Sequence, residues 1–238
     1  MPMSTRDLAI TAQECAKAGA AGIHLHVRDA TGAHSLDPSR YAEAIWAIAE
    51  TAPSLEIQIS TEAAGVFSVT DQKRCLDALR PASASLSIRE MARDPKTAQS
   101  VYAIAQETRT KLQHILYDAQ DIALLDQWIG SGTIPASNLD VLCVLGRYST
   151  GQTANPTDLQ AFLPITKRRK VTWSVCAFGH HEQACLMAAL RQGANLRVGF
   201  ENNRHLPGGE LLRDNATSVA NIVKAAKNLG YAPQRIAS

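Results

Sequence analysis

His24 and His26 stand two residues apart in the apolar run Ala-Gly-Ile-His-Leu-His-Val at 21–27. In an extended chain, residues i and i+2 face the same way, so the two imidazoles project together. A pair of imidazoles on one strand is a common way to seat a divalent metal, and the competing reading is two stacked or surface histidines. Glu201, in Arg-Val-Gly-Phe-Glu-Asn-Asn at 197–203, ends a second strand-like run with a carboxylate. With His24 and His26 it would form a set of two histidines and one glutamate, with a position left for substrate. Arg197 alternates with Gly199 and Glu201 at period two, which points all three to one face. A guanidinium beside a metal suits a carboxylate or a developing oxyanion, whereas the plainer reading is a structural salt bridge.

Other strand ends carry weaker signals. Ser60, Thr61 and Glu62 precede Ala-Ala-Gly, so hydroxyls and a glycine loop could hold a carboxylate or phosphate, or simply cap a turn. Ser85 and Ser87 alternate on the next run. His180 and His181 are adjacent and face apart, which favours helix-start or surface roles. Lys167 to Lys170 form a basic run that reads as a solvated loop.

These groups need elements to position them. Residues 5–18 read as a helix with Ser4 or Thr5 as N-cap, Asp7 in its first turn and Gly19 as its stop. Further helices are expected at 38–51, 70–79, 95–110, from 118 to about 130, 156–163, 181–193 and 214–229. Strands are expected at 21–27, 55–60, 84–88, 112–117, 139–145, 171–178 and 196–200. Eight helices alternate with seven strands, which argues for an α/β fold with a parallel sheet, of the (βα)8 TIM-barrel type. In that architecture functional groups gather at the C-terminal ends of the strands. The series opens on a helix, so the first barrel strand is read as lacking, with a seam between the strands at 21–27 and 196–200. No Pro/Gly/Ser linker interrupts residues 1–238, and one TIM-barrel-like domain is expected.

A chain of 238 residues with 45% hydrophobic and 19% charged content suits a globular fold with a large core. The net charge of +2 gives no support for nucleic acid or anionic lipid as a partner. No apolar run is long enough to span a membrane, and the first residues do not read as a signal peptide. Five cysteines, an odd number with no CxxC pair, read as buried thiols in a reducing, cytoplasmic setting.

Taken as a set, GAAGIHLHVRDATG at 19–32, QIST at 58–61, WSVCAFG at 173–179 and GANLRVGFENN at 193–203 resemble the beta-keto acid cleavage enzymes. The resemblance covers nearly the whole chain. It implies a (βα)8 barrel with one divalent metal, usually zinc, and acetyl-CoA as co-substrate. It makes His24, His26 and Glu201 the metal ligands. It places Ser60 at the keto acid's carboxylate, with Thr61, Ser85 and Ser87 on neighbouring strand ends, and gives Arg197 the place of the arginine in a catalytic pair. Two positions depart from the family pattern. Asn202 stands where an aspartate partners the arginine, and an amide does not exchange protons near neutral pH. Gln113 stands where members carry a glutamate. That change, with the lacking first strand and its glutamate, implies a substrate without an amino group.

The function so implied is metal-dependent cleavage of a beta-keto acid with acetyl-CoA, giving acetoacetate and a new acyl-CoA. A homo-oligomer, dimer or tetramer, is expected by the same resemblance. The alternatives are a CoA-independent aldolase or lyase on the same barrel, and a degenerate homologue that binds metal or metabolite without catalysis.

Overall fold

The computed structural model describes residues 2–232. Helix α1 (Thr5–Ala18) begins at Ser4, whose hydroxyl accepts from the Asp7 amide while Asp7 reaches back to the Ser4 amide. That reciprocal capping box satisfies two amides that no helical carbonyl can reach. Gly19 ends the helix with φ 109°, a left-handed conformation that glycine adopts without penalty.

Strand β1 (Gly22–Leu25) follows, and after the single residue His26 the chain enters a hairpin of β2 (Val27–Arg28) and β3 (His34–Ser35). Asp29 nucleates the hairpin loop: its Oδ1 accepts from the Thr31 amide, the Thr31 hydroxyl and the Ala33 amide at 2.7–3.0 Å. These donors hold the Asp29 carboxyl below the usual carboxylate range. The strand expected over 21–27 is thus split, because the Asp29 turn folds its end back on itself.

Parallel strands and crossover helices then alternate: α2 (Pro38–Thr51), β4 (Glu56–Ser60), α3 (Val69–Leu79), β5 (Ser83–Ser87), the short α4 (Ile88–Met91), α5 (Pro95–Thr108), β6 (Lys111–Leu116), α6 (Ala119–Gly130) and β7 (Asp140–Leu145). A 3₁₀ segment at Pro156–Ala161 and α7 (Leu163–Arg168) replace the single helix expected at 156–163, because Pro164 opens a new first turn. The basic run starting at Lys167 therefore begins on α7 rather than in a loop. The succession closes with β8 (Thr172–Ala177), α8 (Glu182–Leu190), β9 (Asn195–Leu196) and α9 (Asn215–Asn228). Asp37, Asp94, Asp118 and Asp214 each cap the helix that follows them.

The sheet order is β1-β4-β5-β6-β7-β8-β9, with β1 and β9 at its edges, so among the described residues it has seven strands and does not close on itself. The β1–β4, β4–β5, β7–β8 and β8–β9 pairings are parallel. This is a TIM-barrel-like α/β succession. The expected β9 over 196–200 is corrected: it ends at Leu196, and residues 200–202 form a turn.

The chain packs as two compact units, residues 2–114 and 115–232. In the first, one face of the sheet is polar: the β1–β4–β5 register sets His24 beside Gln58 and Gln58 beside Ser83, with Ser60 beside Ser85 one step on. In the second, Ile115, Leu142, Val144, Cys176 and Phe178 pack together along β6, β7 and β8. Gly146 (φ 79°) and Gly179 (φ 85°) follow β7 and β8. A Cβ at either would lie 2.5 Å from the Ala154 amide nitrogen or 2.9 Å from the Gln152 carbonyl, so glycine lets the 150–154 loop seat against both strand ends.

Tyr41 of α2 is fully buried, and its hydroxyl donates to the Ser60 carbonyl at 2.7 Å, clamping the end of β4. Tyr41→Phe leaves that carbonyl without its buried donor. It is expected to cost about 1–2 kcal/mol, read as a lower urea midpoint with unchanged slope.

Candidate functional site

In the first unit the His24 Nε2 and His26 Nε2 atoms lie 3.2 Å apart. His24 is fixed by its other nitrogen, since Nδ1 is 2.8 Å from Gln58 Oε1. An amide oxygen only accepts, so His24 Nδ1 carries a proton, and in the neutral ring Nε2 is left with its lone pair. Two ligands at 2.0–2.1 Å from a tetrahedral ion sit about 3.3 Å apart, so the spacing fits two imidazoles on one cation. His26 Nδ1 stands 3.9 Å from Glu62 Oε2, and the His26 and His34 rings are 5.2 Å apart. His34 in turn meets the Glu62 carbonyl through Nε2 at 2.8 Å. Glu62, just past β4, was not among the expected ligands; its place two residues after Ser60 was the only sequence signal.

The hydroxyls differ in what they have left to give. The Thr61 hydroxyl is fully buried and donates to the Ser85 carbonyl at 2.7 Å. Ser60 accepts from the Glu62 amide through Oγ at 3.1 Å, which leaves its O–H to donate. Ser85 Oγ and Ser87 Oγ are buried and without a hydrogen-bond partner. Two orphaned hydroxyls on one face of β5 are what a strand end holding an anionic ligand would present.

Gln72 supports this end of the sheet, donating to the Thr61 carbonyl at 2.7 Å and to Glu90 Oε2 at 2.8 Å. Burial raises the Glu90 carboxyl above its ordinary value even though the Ala63 amide also bonds it. Gln113 is buried on β6. It faces away from its neighbour His114, whose ring stacks on Tyr102 of α5.

In the second unit the turn after β9 carries Arg197, Glu201 and Asn202. Arg197 Nη2 donates to Glu201 Oε2 at 2.9 Å, Arg197 mostly buried and Glu201 half exposed. Their pairing comes from the turn rather than from strand alternation: the Asn202 and Asn203 amides both donate to the Gly199 carbonyl at 2.9 and 3.2 Å. Asn202 is buried, and burial pushes the Cys176 thiol up to about 12. All five cysteines are buried and none is in a disulfide. His181 is the residue before α8 and makes no side-chain cap there, and its ring lies 3.9 Å from that of His180.

Glu182, in the first turn of α8, was missed by the sequence reading. It is 3% exposed, its Oε2 accepts from Asn203 Nδ2 at 3.1 Å, and its Oε1 is buried without a partner. Burial raises its pKa to about 7.

The beta-keto acid cleavage enzyme family model matches residues 1–238, and the chain belongs to that family. It is 29% identical to a 3-keto-5-aminohexanoate cleavage enzyme of Fusobacterium nucleatum, over 97% of this chain and 85% of that protein. It is 25% identical to a 3-oxoadipate:acetyl-CoA acetyltransferase of Cupriavidus necator, over 97% and 83%. Among solved structures, the ternary complex of ObcA with a C4-CoA adduct and oxalate superposes with TM-score 0.78 at 15% identity, over 97% of this chain and 64% of the longer ObcA chain. That likeness supports the TIM-barrel-like fold.

The raised Glu182 pKa has a sign that can be tested. The folded protein holds this proton more tightly than the unfolded chain, so the stabilisation is complete below the ordinary 4.5 and is lost as pH rises to about 7. Glu182→Gln carries no such loss. At pH 8 the variant is expected to be more stable than wild type by about 1–3 kcal/mol, with the gain vanishing toward pH 4.5, measured by urea unfolding across pH.

Proposed function

We propose that this protein catalyses metal-dependent cleavage of a beta-keto acid lacking an amino group, with acetyl-CoA as co-substrate. The observation that carries the reading is the 3.2 Å convergence of His24 Nε2 and His26 Nε2 behind the Gln58 bond, in a chain of this family. Glu201 supplies the third ligand, on the strength of the motif shared with the family. Zinc suits two imidazoles and a carboxylate. A cation held there supplies Lewis-acid polarisation of the keto oxygen.

The chain's own groups do the rest. Ser60, Ser85 and Ser87 donate hydroxyls to the substrate carboxylate, and Ser85 and Ser87 have no competing partner. Gln113 offers an amide in place of an anion, which removes the attraction for an ammonium group. Arg197 stabilises negative charge on the oxygen of the cleaving fragment. In balance, the α-carbon of the keto acid bonds to the acetyl carbonyl carbon and CoA sulfur is released. That sulfur then takes the original acyl group as its bond to the α-carbon breaks. The products are acetoacetate and a new acyl-CoA. Arg197 paired with Glu201, without an aspartate at 202, leaves proton transfer weaker than the family pattern provides.

We place the protein in the cytoplasm as one barrel-type domain that forms a homo-oligomer. Five buried cysteines outside any disulfide fit a reducing compartment. No helix among the described residues is long and apolar enough to cross a membrane. The exposed Trp46 on α2 suits an interface between copies.

Zinc-loaded protein incubated with acetyl-CoA and a panel of acidic and neutral beta-keto acids is expected to yield acetoacetate and an acyl-CoA, followed by mass spectrometry. Absence of product across the panel sinks the reading, and turnover without CoA points to an aldolase or lyase instead. The amide at Asn202, which brings no carboxylate beside Arg197, favours a second reading, a binding protein without turnover. Asn202→Asp separates the two: activity in both proteins, raised about 10²-fold or more in the variant, supports the enzyme, and activity in the variant alone supports the degenerate homologue. His24→Ala is expected to abolish stoichiometric zinc, measured by metal analysis after dialysis, since one imidazole and a carboxylate make a poor site.

A further inference from the structure

We propose that Glu182 is a positioning residue for the turn that carries Glu201 and Asn202, acting through the side chain of Asn203. The proposal rests on the reading of Glu201 as a metal ligand. The turn is held by side chains as much as by its own backbone. The Phe200 amide donates to Asn215 Oδ1 at 2.9 Å, and the Gly179 amide donates to the Asn202 carbonyl at 3.1 Å. Asn203 is engaged at every polar atom of its side chain: Nδ2 donates to Glu182 Oε2 at 3.1 Å and to the His205 carbonyl at 2.7 Å, and Oδ1 accepts from the His205 amide at 3.0 Å.

Glu182 is the partner in that clamp that comes from another element. Without it, one Nδ2 hydrogen is buried and unsatisfied, and the amide satisfies it only by turning out of the His205 clamp. Glu201 lies two residues away, and a ligand must be held to within about half an ångström. The side-chain oxygen at 182 is what Asn203 uses, and glutamine presents the same acceptor. Glu182 Oε1 stays buried and unpartnered.

Zinc affinity tests this without relying on catalysis. Zn²⁺ is titrated in competition with a chromophoric chelator into full-length wild type, Glu182→Ala, Glu182→Gln, Asn203→Ala and the Glu182→Ala/Asn203→Ala double variant, with circular-dichroism melts alongside. Wild type is expected to bind through His24, and Glu182→Ala and Asn203→Ala each to bind about 10–100-fold more weakly, the usual cost of losing a group that orients a ligand. The double variant is expected to be no worse than either single one, because both act through one clamp. Glu182→Gln keeps the acceptor and is expected to stay within about threefold of wild type. Should Glu182→Ala fail to fold, Glu182→Asp, which withdraws the carboxylate by one methylene, is expected to show the same weakening. Wild-type affinity in the folded Glu182 and Asn203 variants overturns this proposal alone. Failure of wild type to bind zinc overturns the metal reading and this proposal together.

Discussion

Two imidazole nitrogens held 3.2 Å apart are the constraint on which the first unit depends. With a lone pair on each, that spacing is repulsive unless a proton or a cation lies between them. The surrounding structure is arranged to hold it. The parallel register sets Gln58 beside His24 and gives its amide oxygen the Nδ1 proton. The Asp29 turn folds β2 onto β3 and returns His34 to the His26 ring. Tyr41 and Gln72 tie down the carbonyls of Ser60 and Thr61 where β4 ends. Each is a buried hydrogen bond whose loss exposes an unsatisfied group, so the histidine pair sits on a stiff strand end rather than a mobile loop.

The two units line their sheet faces differently, and the difference has a chemical consequence. In the first, serine, glutamine and histidine side chains face one way, with two hydroxyls on β5 left unpartnered. In the second, Ile115, Leu142, Val144, Cys176 and Phe178 pack together along β6, β7 and β8. Polar side chains of the first unit are thus concentrated on β1, β4 and β5. The turn after β9 adds a guanidinium–carboxylate pair rather than further hydroxyls.

Much of this was legible in the residues. The seven strands of the sheet follow from short apolar runs set between amphipathic helices, and the caps at Ser4, Gly19 and Asp37-Pro38 announce themselves by residue type. The His24–Leu25–His26 spacing alone foretold two imidazoles on one face. What escaped depended on contacts distant in sequence. The β2–β3 hairpin pairs only two residues per strand, too few for a periodic signal. Residues 196–200 read as a strand, with Arg197, Gly199 and Glu201 alternating toward one face, yet amides bonded to the Gly199 carbonyl turn the chain at 200–202. Nothing local shows that the Thr61 hydroxyl reaches the carbonyl of Ser85, 24 residues on. Glu182 lay hidden for the same reason, since its partner Asn203 is 21 residues away.

The central claim is that the paired histidines hold a catalytic cation, and X-ray absorption spectroscopy of the zinc-loaded protein addresses it directly. The account predicts a first shell of nitrogen and oxygen at about 2.0–2.1 Å, with the multiple-scattering pattern of two imidazoles. A sulfur shell near 2.3 Å, or a spectrum without imidazole scattering, would place the metal at the cysteines or at adventitious carboxylates and contradict it.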